Sequence, residues 1–443
     1  MNTTVAALTH NYDRFIEVAP DAQAAAARLE RLCDLPGVER HIARLNADLQ
    51  KDLIAVISLS NFLFHFLVRH PDAIGLIGNP PRQHAEELIQ LRDIEALRLY
   101  KYRELLKIVW MDIACVCEYR EILTALSRLA EDVLQQALRL SLPEDSYKTF
   151  TRSTATIALG KLGANELNFS SDIDLMFVSV NPDLSLNEYQ ALQKIQFDSI
   201  RTLNRALEEK TAEGFLYRVD LKLRPWGNSG PLCMAIDDTE NYYAVSSEPW
   251  ERFAWLRARL IAGSETLWGD LQDRMHPFVF KRSLSTDDLA KFVAIKNDMA
   301  KARRRAGNWN VKVGEGGIRD IEFFIQMLQL ANAAGNKNLQ TTSTLEALAG
   351  LRNAGLITNV EEQEILATYL FLRQLENRLQ MVDERQTHDL PDSRDKRLLL
   401  ARSMRMHGDS NEEILNAFEE NLIAHRSIAK KYFERILPGE QIV

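Results

Sequence analysis

Cysteine is scarce in this chain: Cys33, Cys115, Cys117 and Cys233 are the four in 443 residues, and none stands at zinc-ligand spacing. That excludes a disulfide scaffold and a structural zinc site, so reduced thiols of a cytoplasmic protein are expected. Cys115 and Cys117 fall inside a helical pattern and read as small buried side chains on different helix faces. An excess of basic charge is also missing. The net charge of −8 argues against a general nucleic-acid binder. No apolar run reaches the ~20 residues that span a bilayer. The most apolar segment, residues 53–68, contains Ser58, Ser60, Asn61 and His65 and reads as a buried helix. Thr, Asn, His and Asp interrupt any secretory pattern at the start. P-loop, dinucleotide-binding and His-Glu-x-x-His motifs are absent, as are repeats and low-complexity segments. The expectation is a soluble protein with neither membrane nor nucleic acid as partner.

What is present suits a globular protein, 46% hydrophobic and 26% charged. The length calls for two or three domains. Residues 20–140 and those after 285 carry helical periodicity, while residues 150–260 mix short apolar runs with one helix. The boundaries are set at 1–140, 141–275 and 276–443. The expected fold class is α+β and mostly helical, with a small mixed sheet between two helical regions. Strands are expected at 172–180 and 215–223, with a shorter β-like run at 154–159. A helix is expected at 187–209, opened by a capping box of Ser185 with Glu188. Further capping signals are Ser343 with Glu346, Asn359 with Glu362, and Gly355 as a stop. Trp250, Phe253 and Trp255 read as core, and His388 as structural.

The chemistry concentrates in Gly160-Lys-Leu-Gly-Ala-Asn-Glu-Leu-Asn-Phe-Ser-Ser-Asp-Ile-Asp-Leu175. In a strand, alternate side chains share a face, so Asp172 and Asp174 lie together while Ile173 and Leu175 face a core. Two carboxylates that close repel unless a cation lies between them, and a hard divalent cation, Mg²⁺ or Mn²⁺, is the natural partner. Gly160 and Gly163 let backbone N–H groups approach an anion, Lys161 adds a positive charge, and Ser170 and Ser171 add hydroxyl donors. In Tyr217-Arg-Val-Asp-Leu-Lys-Leu-Arg224, alternation sets Asp220, Lys222 and Arg224 on one face. Asp220 completes a set of three carboxylates, and Lys222 and Arg224 are placed to neutralise phosphate oxygens. The plain alternative is an exposed strand face with a local ion pair.

A second glycine cluster, Gly314-Glu-Gly-Gly317, precedes an amphipathic helix with Arg319, Glu322 and Gln326 on one polar face. It reads either as an anion site at a helix N-terminus or as a tight turn before a solvated face. The run Lys301-Ala-Arg-Arg-Arg305 reads as a solvated helix face.

Gly160-Lys161 followed by Asp172-Ile-Asp174 resembles the signature of the nucleotidyltransferase superfamily that includes DNA polymerase β. Longer blocks resemble the bacterial bifunctional glutamine synthetase adenylyltransferase/adenylyl-removing enzymes. They are Leu159 to Asp174, Arg218-Val-Asp-Leu-Lys-Leu-Arg-Pro225, Trp250-Glu-Arg-Phe-Ala254, Val313-Gly-Glu-Gly-Gly-Ile-Arg-Asp-Ile-Glu-Phe323, Leu375-Glu-Asn-Arg-Leu-Gln380 and Gln386-Thr-His388. The likeness runs in order over roughly residues 60–435. The Glu166-Leu-Asn-Phe-Ser-Ser-Asp-Ile-Asp174 form is similar to the N-terminal, adenylyl-removing half. One departure is Ala164-Asn165, where the family commonly has Gly and a longer polar residue, which makes the loop less permissive.

The resemblance implies a polymerase-β-like catalytic core and a portion of a longer chain whose C-terminal half adenylylates. It implies phosphorolysis, in which inorganic phosphate removes AMP from a tyrosine of adenylylated glutamine synthetase and yields ADP. It also implies control by the PII signal protein in its uridylylated form. Two other readings stay open: ATP-dependent adenylylation of glutamine synthetase or another protein, and a regulatory docking module with a vestigial metal site.

Overall fold

The computed structural model describes residues 12–81, 86–180, 184–281 and 310–436, together with residues 291, 292, 294, 295, 298 and 301. The architecture is α+β and mostly helical, as expected. Five strands form one small mixed sheet: β1 (Thr154–Ala158), β2 (Ile173–Ser179), β3 (Val219–Asp220), β4 (Cys233–Ala235) and β5 (Arg259–Gly263). β1 pairs antiparallel with β2 and with β5, while β3 and β4 both run parallel to β2.

Period-two alternation in β2 divides its side chains between two cores. Ile173, Leu175 and Phe177 enter one core with the N-terminal helices, and Met176 and Val178 enter the other with the C-terminal helices. The first core draws on α1 (Ala22–Cys33), α2 (Ala47–Leu59), α3 (Asn61–Arg69), α4 (Ile94–Ala114), α5 (Tyr119–Ser141) and α6 (Glu144–Ser153), with α7 (Leu186–Glu208) from the sheet region. The second draws on α8 (Ile236–Val245), α9 (Glu251–Leu256), α10 (Glu265–His276), α11 (Ile318–Asn332), α12 (Thr344–Asn353), α13 (Asn359–Gln380), α14 (Arg394–Ser403) and α15 (Asn411–Glu434). Each fully buried Leu or Ile among them contributes about 1.5–3 kcal/mol.

Several expectations are corrected. The apolar run 53–68 is two helices bent by 114°, not one. Ser60 makes the break: its extended backbone ends α2, while its hydroxyl accepts Leu63 N–H and donates to the Met381 carbonyl at 2.6 Å. Among the described residues no single helix is long and apolar enough to cross a membrane. Cys115 is exposed, in a left-handed conformation (φ +53°) that ends α4, so it is neither helical nor buried.

The strand expected at 215–223 shrinks to Val219–Asp220. Arg224 causes this by donating to the carbonyls of Leu221, Gly230 and Pro231, which folds the chain into a compact turn. The capping box of α7 forms as read, but that of α13 is Thr358 with Glu361, one residue early. Trp255 is buried, whereas Trp250 is exposed. In the run 301–305, the residues after 301 lie outside the described ones.

Candidate active site

Helix α13 clamps the glycine-containing segment ahead of β2. Its residues Arg373, Glu376, Asn377 and Gln380 fall at i, i+3, i+4 and i+7, one stripe of an α-helix. All four are fully buried or nearly so. Asn377 Oδ1 accepts the Phe169 N–H at 3.0 Å, and Gln380 Oε1 accepts the Ser170 N–H at 2.9 Å. Arg373 donates to the Glu166 carbonyl and to Asn168 Oδ1. Lys161 Nζ lies 3.0 Å from Glu376 Oε2, and His388 Nδ1 lies 2.8 Å from Glu376 Oε1. Burial alone pushes the Glu376 carboxyl up, but Lys161, His388 and Arg373 outweigh it and hold it well below the usual carboxylate range.

The aspartates meet at the open end of β2. Asp174 and Asp220 are direct partners in the parallel β2–β3 register. Asp172 sits one alternation ahead, where its Oδ1 accepts from Arg218 Nε at 2.6 Å. Asp220 accepts from the Lys222 backbone N–H at 2.8 Å and from Lys222 Nζ at 2.9 Å. Asp174 is half-buried against Gly160, whose left-handed φ of +55° and missing side chain make the room. A Cβ there would lie 2.3 Å from Asp174 Oδ2. Burial and the neighbouring Asp220 push the Asp174 carboxyl up to about 6, against the pull of Lys312. Asp172 adds to the rise and Lys161 opposes it.

Among known proteins, residues 50–272 match the glutamate-ammonia ligase adenylyltransferase family. The chain belongs to that family. Residues 291–437 match a second family description, the PII-uridylyltransferase. Relatives named bifunctional glutamine synthetase adenylyltransferase/adenylyl-removing enzyme occur in Thioalkalivibrio sulfidiphilus, Nitrosococcus oceani and Hahella chejuensis. The first is 36% identical over 80% of this chain and 37% of its own length. The second is 36% identical over 77% of this chain and 36% of its own, and the third 31% identical over 81% and 40%. The chain therefore spans about two fifths of the length of the curated relatives it matches.

The other residues expected at this family site divide into two groups. Gly160 and Lys161 stand beside the aspartates as described. Ser170 and Ser171 line the approach to β2, but their hydroxyls are engaged: Ser170 donates to the Glu384 carbonyl and accepts from Arg218, and Ser171 donates to the Asp172 carbonyl. Lys222 is exposed and folds back on Asp220 rather than projecting along a strand. Arg224 is turned away and its donors are spent on backbone carbonyls, which corrects its expected role beside phosphate. Glu322 pairs with Arg257 at 3.3 Å, while Arg319 is exposed. The glycine turn is no open anion site. The Ile318, Arg319 and Asp320 N–H groups go to carbonyls of Val311, Lys312 and Gly317, and Gly316 N–H goes to Asp320 Oδ2. Ala164 takes an ordinary helical conformation, and Asn165 carries the left-handed one (φ +60°), which Asn tolerates.

Glu376, Arg218, Lys312 and the stripe on α13 escape a reading of single motifs. The available signal was the run of polar residues at i, i+3, i+4 and i+7, Arg373, Glu376, Asn377 and Gln380, set among Leu372, Leu375 and Leu379. His388, read as merely structural, braces Glu376 and thereby Lys161.

The family points to a divalent metal. Among the described residues no three Asp, Glu, His or Cys side chains are gathered as a closed ligand set, since Asp172 and Asp220 are turned to cations. The donor set nevertheless fits a hard cation. It is all oxygen, and Asp174, raised by burial and by the neighbouring Asp220, is a carboxylate that a cation would favour in its charged form.

Proposed function

We propose that this chain is the adenylyl-removing portion of a bifunctional glutamine synthetase adenylyltransferase/adenylyl-removing enzyme, acting by phosphorolysis. An oxygen of inorganic phosphate forms a bond to the phosphorus of AMP carried on a tyrosine of adenylylated glutamine synthetase. The bond from that phosphorus to the tyrosyl oxygen breaks, the electron pair stays on that oxygen, and a proton restores the phenol. The products are ADP and unmodified protein.

The observation that carries this reading is the register of Asp174 opposite Asp220, with Asp172 one alternation away. Mg²⁺, or Mn²⁺, held by these three would neutralise charge on the transferred phosphoryl group. Gly160 leaves the space that Asp174 fills, and Glu376 fixes the Lys161 ammonium behind it. Arg218 and Lys222 orient the outer two aspartates. The attacker is already an anion, so positioning and electrostatics serve in place of a general base. Residues 141–275 form the catalytic domain between helical regions 1–140 and 276–443. The C-terminal adenylylating half of the full-length chain is one partner, as the relatives' bifunctional name suggests, and uridylylated PII is another, as the resemblance implies.

The test is the chain with adenylylated glutamine synthetase, given phosphate in one tube and ATP in another, with and without Mg²⁺. ADP should form only with phosphate and Mg²⁺, and Asp172→Asn or Asp174→Asn should abolish it while the circular dichroism is unchanged. Wild-type rates in Asp174→Asn would overturn the reading. Labelling of unmodified protein from ATP would reverse its direction.

A further inference from the structure

The cations around the aspartates are matched one by one, except for Lys312. Arg257 pairs with Glu322 at 3.3 Å, Lys161 pairs with Glu376 at 3.0 Å, and Arg373 is bound by Glu166 and Asn168. Lys312 is half-buried and its ammonium has no hydrogen-bonded or ion-paired partner among the described residues. Its backbone is nevertheless held hard. Asn310 Oδ1 accepts the N–H groups of Lys312 (3.0 Å) and Val313 (2.8 Å), and the Lys312 carbonyl accepts from Arg319 at 3.1 Å. Val311 N–H donates to the carbonyl of His388 at 2.8 Å. The same His388 braces Glu376 through its ring, and Glu376 holds Lys161.

The glycine turn that follows is closely packed. A Cβ on Gly314 would lie 2.2 Å from the Asn310 carbonyl, and one on Gly317 would lie 2.7 Å from the Lys312 carbonyl. Gly316 has φ of +70° and would meet the α15 backbone at Arg426. The turn therefore packs against α15 while folding closely over the backbone of Asn310 and Lys312. From there the Lys312 charge reaches Asp174, Lys161 and Glu322. A half-buried ammonium with no hydrogen-bonded or ion-paired partner among the described residues keeps its three donors free for an incoming oxyanion.

We propose that Lys312, delivered by the C-terminal helical region, is the residue that binds the attacking inorganic phosphate. This rests on the phosphorolytic reading above. Lysine suits a small, freely oriented oxyanion because its three donors rotate around a point charge. It would hold the phosphate beside the segment that His388 and Glu376 brace.

Steady-state kinetics of Lys312→Met and Lys312→Arg test this, with phosphate and adenylylated protein varied separately. Lys312→Met should raise KM for phosphate roughly 10- to 100-fold and leave KM for the adenylylated protein unchanged, as loss of one charge-assisted contact predicts. Lys312→Arg should restore most of the affinity. An unchanged phosphate KM, or a rise confined to the protein substrate, overturns the proposal. A second measurement needs no turnover: inorganic phosphate should raise the thermal midpoint of the wild type in the presence of Mg²⁺ and not that of Lys312→Met. Equal stabilisation of both overturns the site. If the wild type forms no ADP but its stabilisation by phosphate still requires Lys312, the anion site stands and the direction of the reaction falls.

Discussion

Lys161, in the turn ahead of β2, donates to both oxygens of Glu376, a fully buried carboxylate 215 residues further along the chain. One contact thus ties the glycine-containing segment ahead of β2 to α13. Because Glu376 also faces Arg373 and His388, it is the electrostatic centre of the clamp.

Replacing Glu376 with Gln should therefore destabilise the protein by about 3–5 kcal/mol, since it leaves buried cations without their counter-charge. Urea unfolding at neutral pH measures this, and a loss below about 1 kcal/mol would contradict it. The sign of the pH dependence follows from the depressed folded-state carboxyl. Its contribution is fully present above the unfolded carboxylate value of about 4.3 and is lost as pH falls toward the lower folded one. The stability gap between wild type and variant should hold from pH 7 to about pH 5 and narrow below it.

Gly160→Ala should cost activity far more than stability. Its Cβ would lie 2.3 Å from Asp174 Oδ2 and displace that carboxylate. A loss of about 100-fold in kcat is expected from a misplacement of this size, with about 1–2 kcal/mol of backbone strain. Gly355→Ala is the control, because its φ of +72° brings similar strain with no atom within 4 Å of the new Cβ. That variant should lose stability and keep activity. Equal activity losses in both would remove the special role of Gly160.

Mg²⁺ should raise the thermal midpoint, because a cation offsets the burial and the neighbouring Asp220 that push Asp174 up to about 6. Saturation at 100-fold over Kd corresponds to about 2.7 kcal/mol. The shift should vanish in Asp174→Asn, and EDTA should reverse it in the wild type. Differential scanning fluorimetry with and without the metal suffices, and an undiminished shift in the variant would place the metal elsewhere.

The cysteines should separate cleanly by reactivity. Cys115 is exposed, whereas Cys33 and Cys233 are buried, and burial pushes the Cys233 thiol up to about 12. A thiol reagent at neutral pH should modify Cys115 rapidly and Cys233 only after unfolding. Cys115→Gly should stabilise the protein by about 0.5–1 kcal/mol, because Cys115 holds a left-handed helix end that glycine occupies without strain. Rapid native labelling of Cys233, read by mass spectrometry, would contradict the buried assignment.

The local signals proved readable where one period or one cap governed the outcome. Alternation placed Ile173 and Leu175 in a core, and the Ser185–Glu188 box opened α7 within one residue of its expected start. The readings failed where a distant or looping contact competed. Asp220, Lys222 and Arg224 alternate as a strand would, yet Arg224 gathers the carbonyls of residues 221, 230 and 231 and ends β3 at Asp220. Ser60 splits an apolar run because its hydroxyl finds the Met381 carbonyl 321 residues away.

Neighbours along the chain and long motifs in order were enough to read the α+β class, the strand that carries Asp172 and Asp174, and the family. That Asp220 stands opposite Asp174, that Glu376 and His388 brace Lys161, and that Val311 hydrogen-bonds to the His388 carbonyl could be read only from the folded chain. Those relations join residues separated by tens to hundreds of positions, and they follow from how two cores close on the opposite faces of one small sheet.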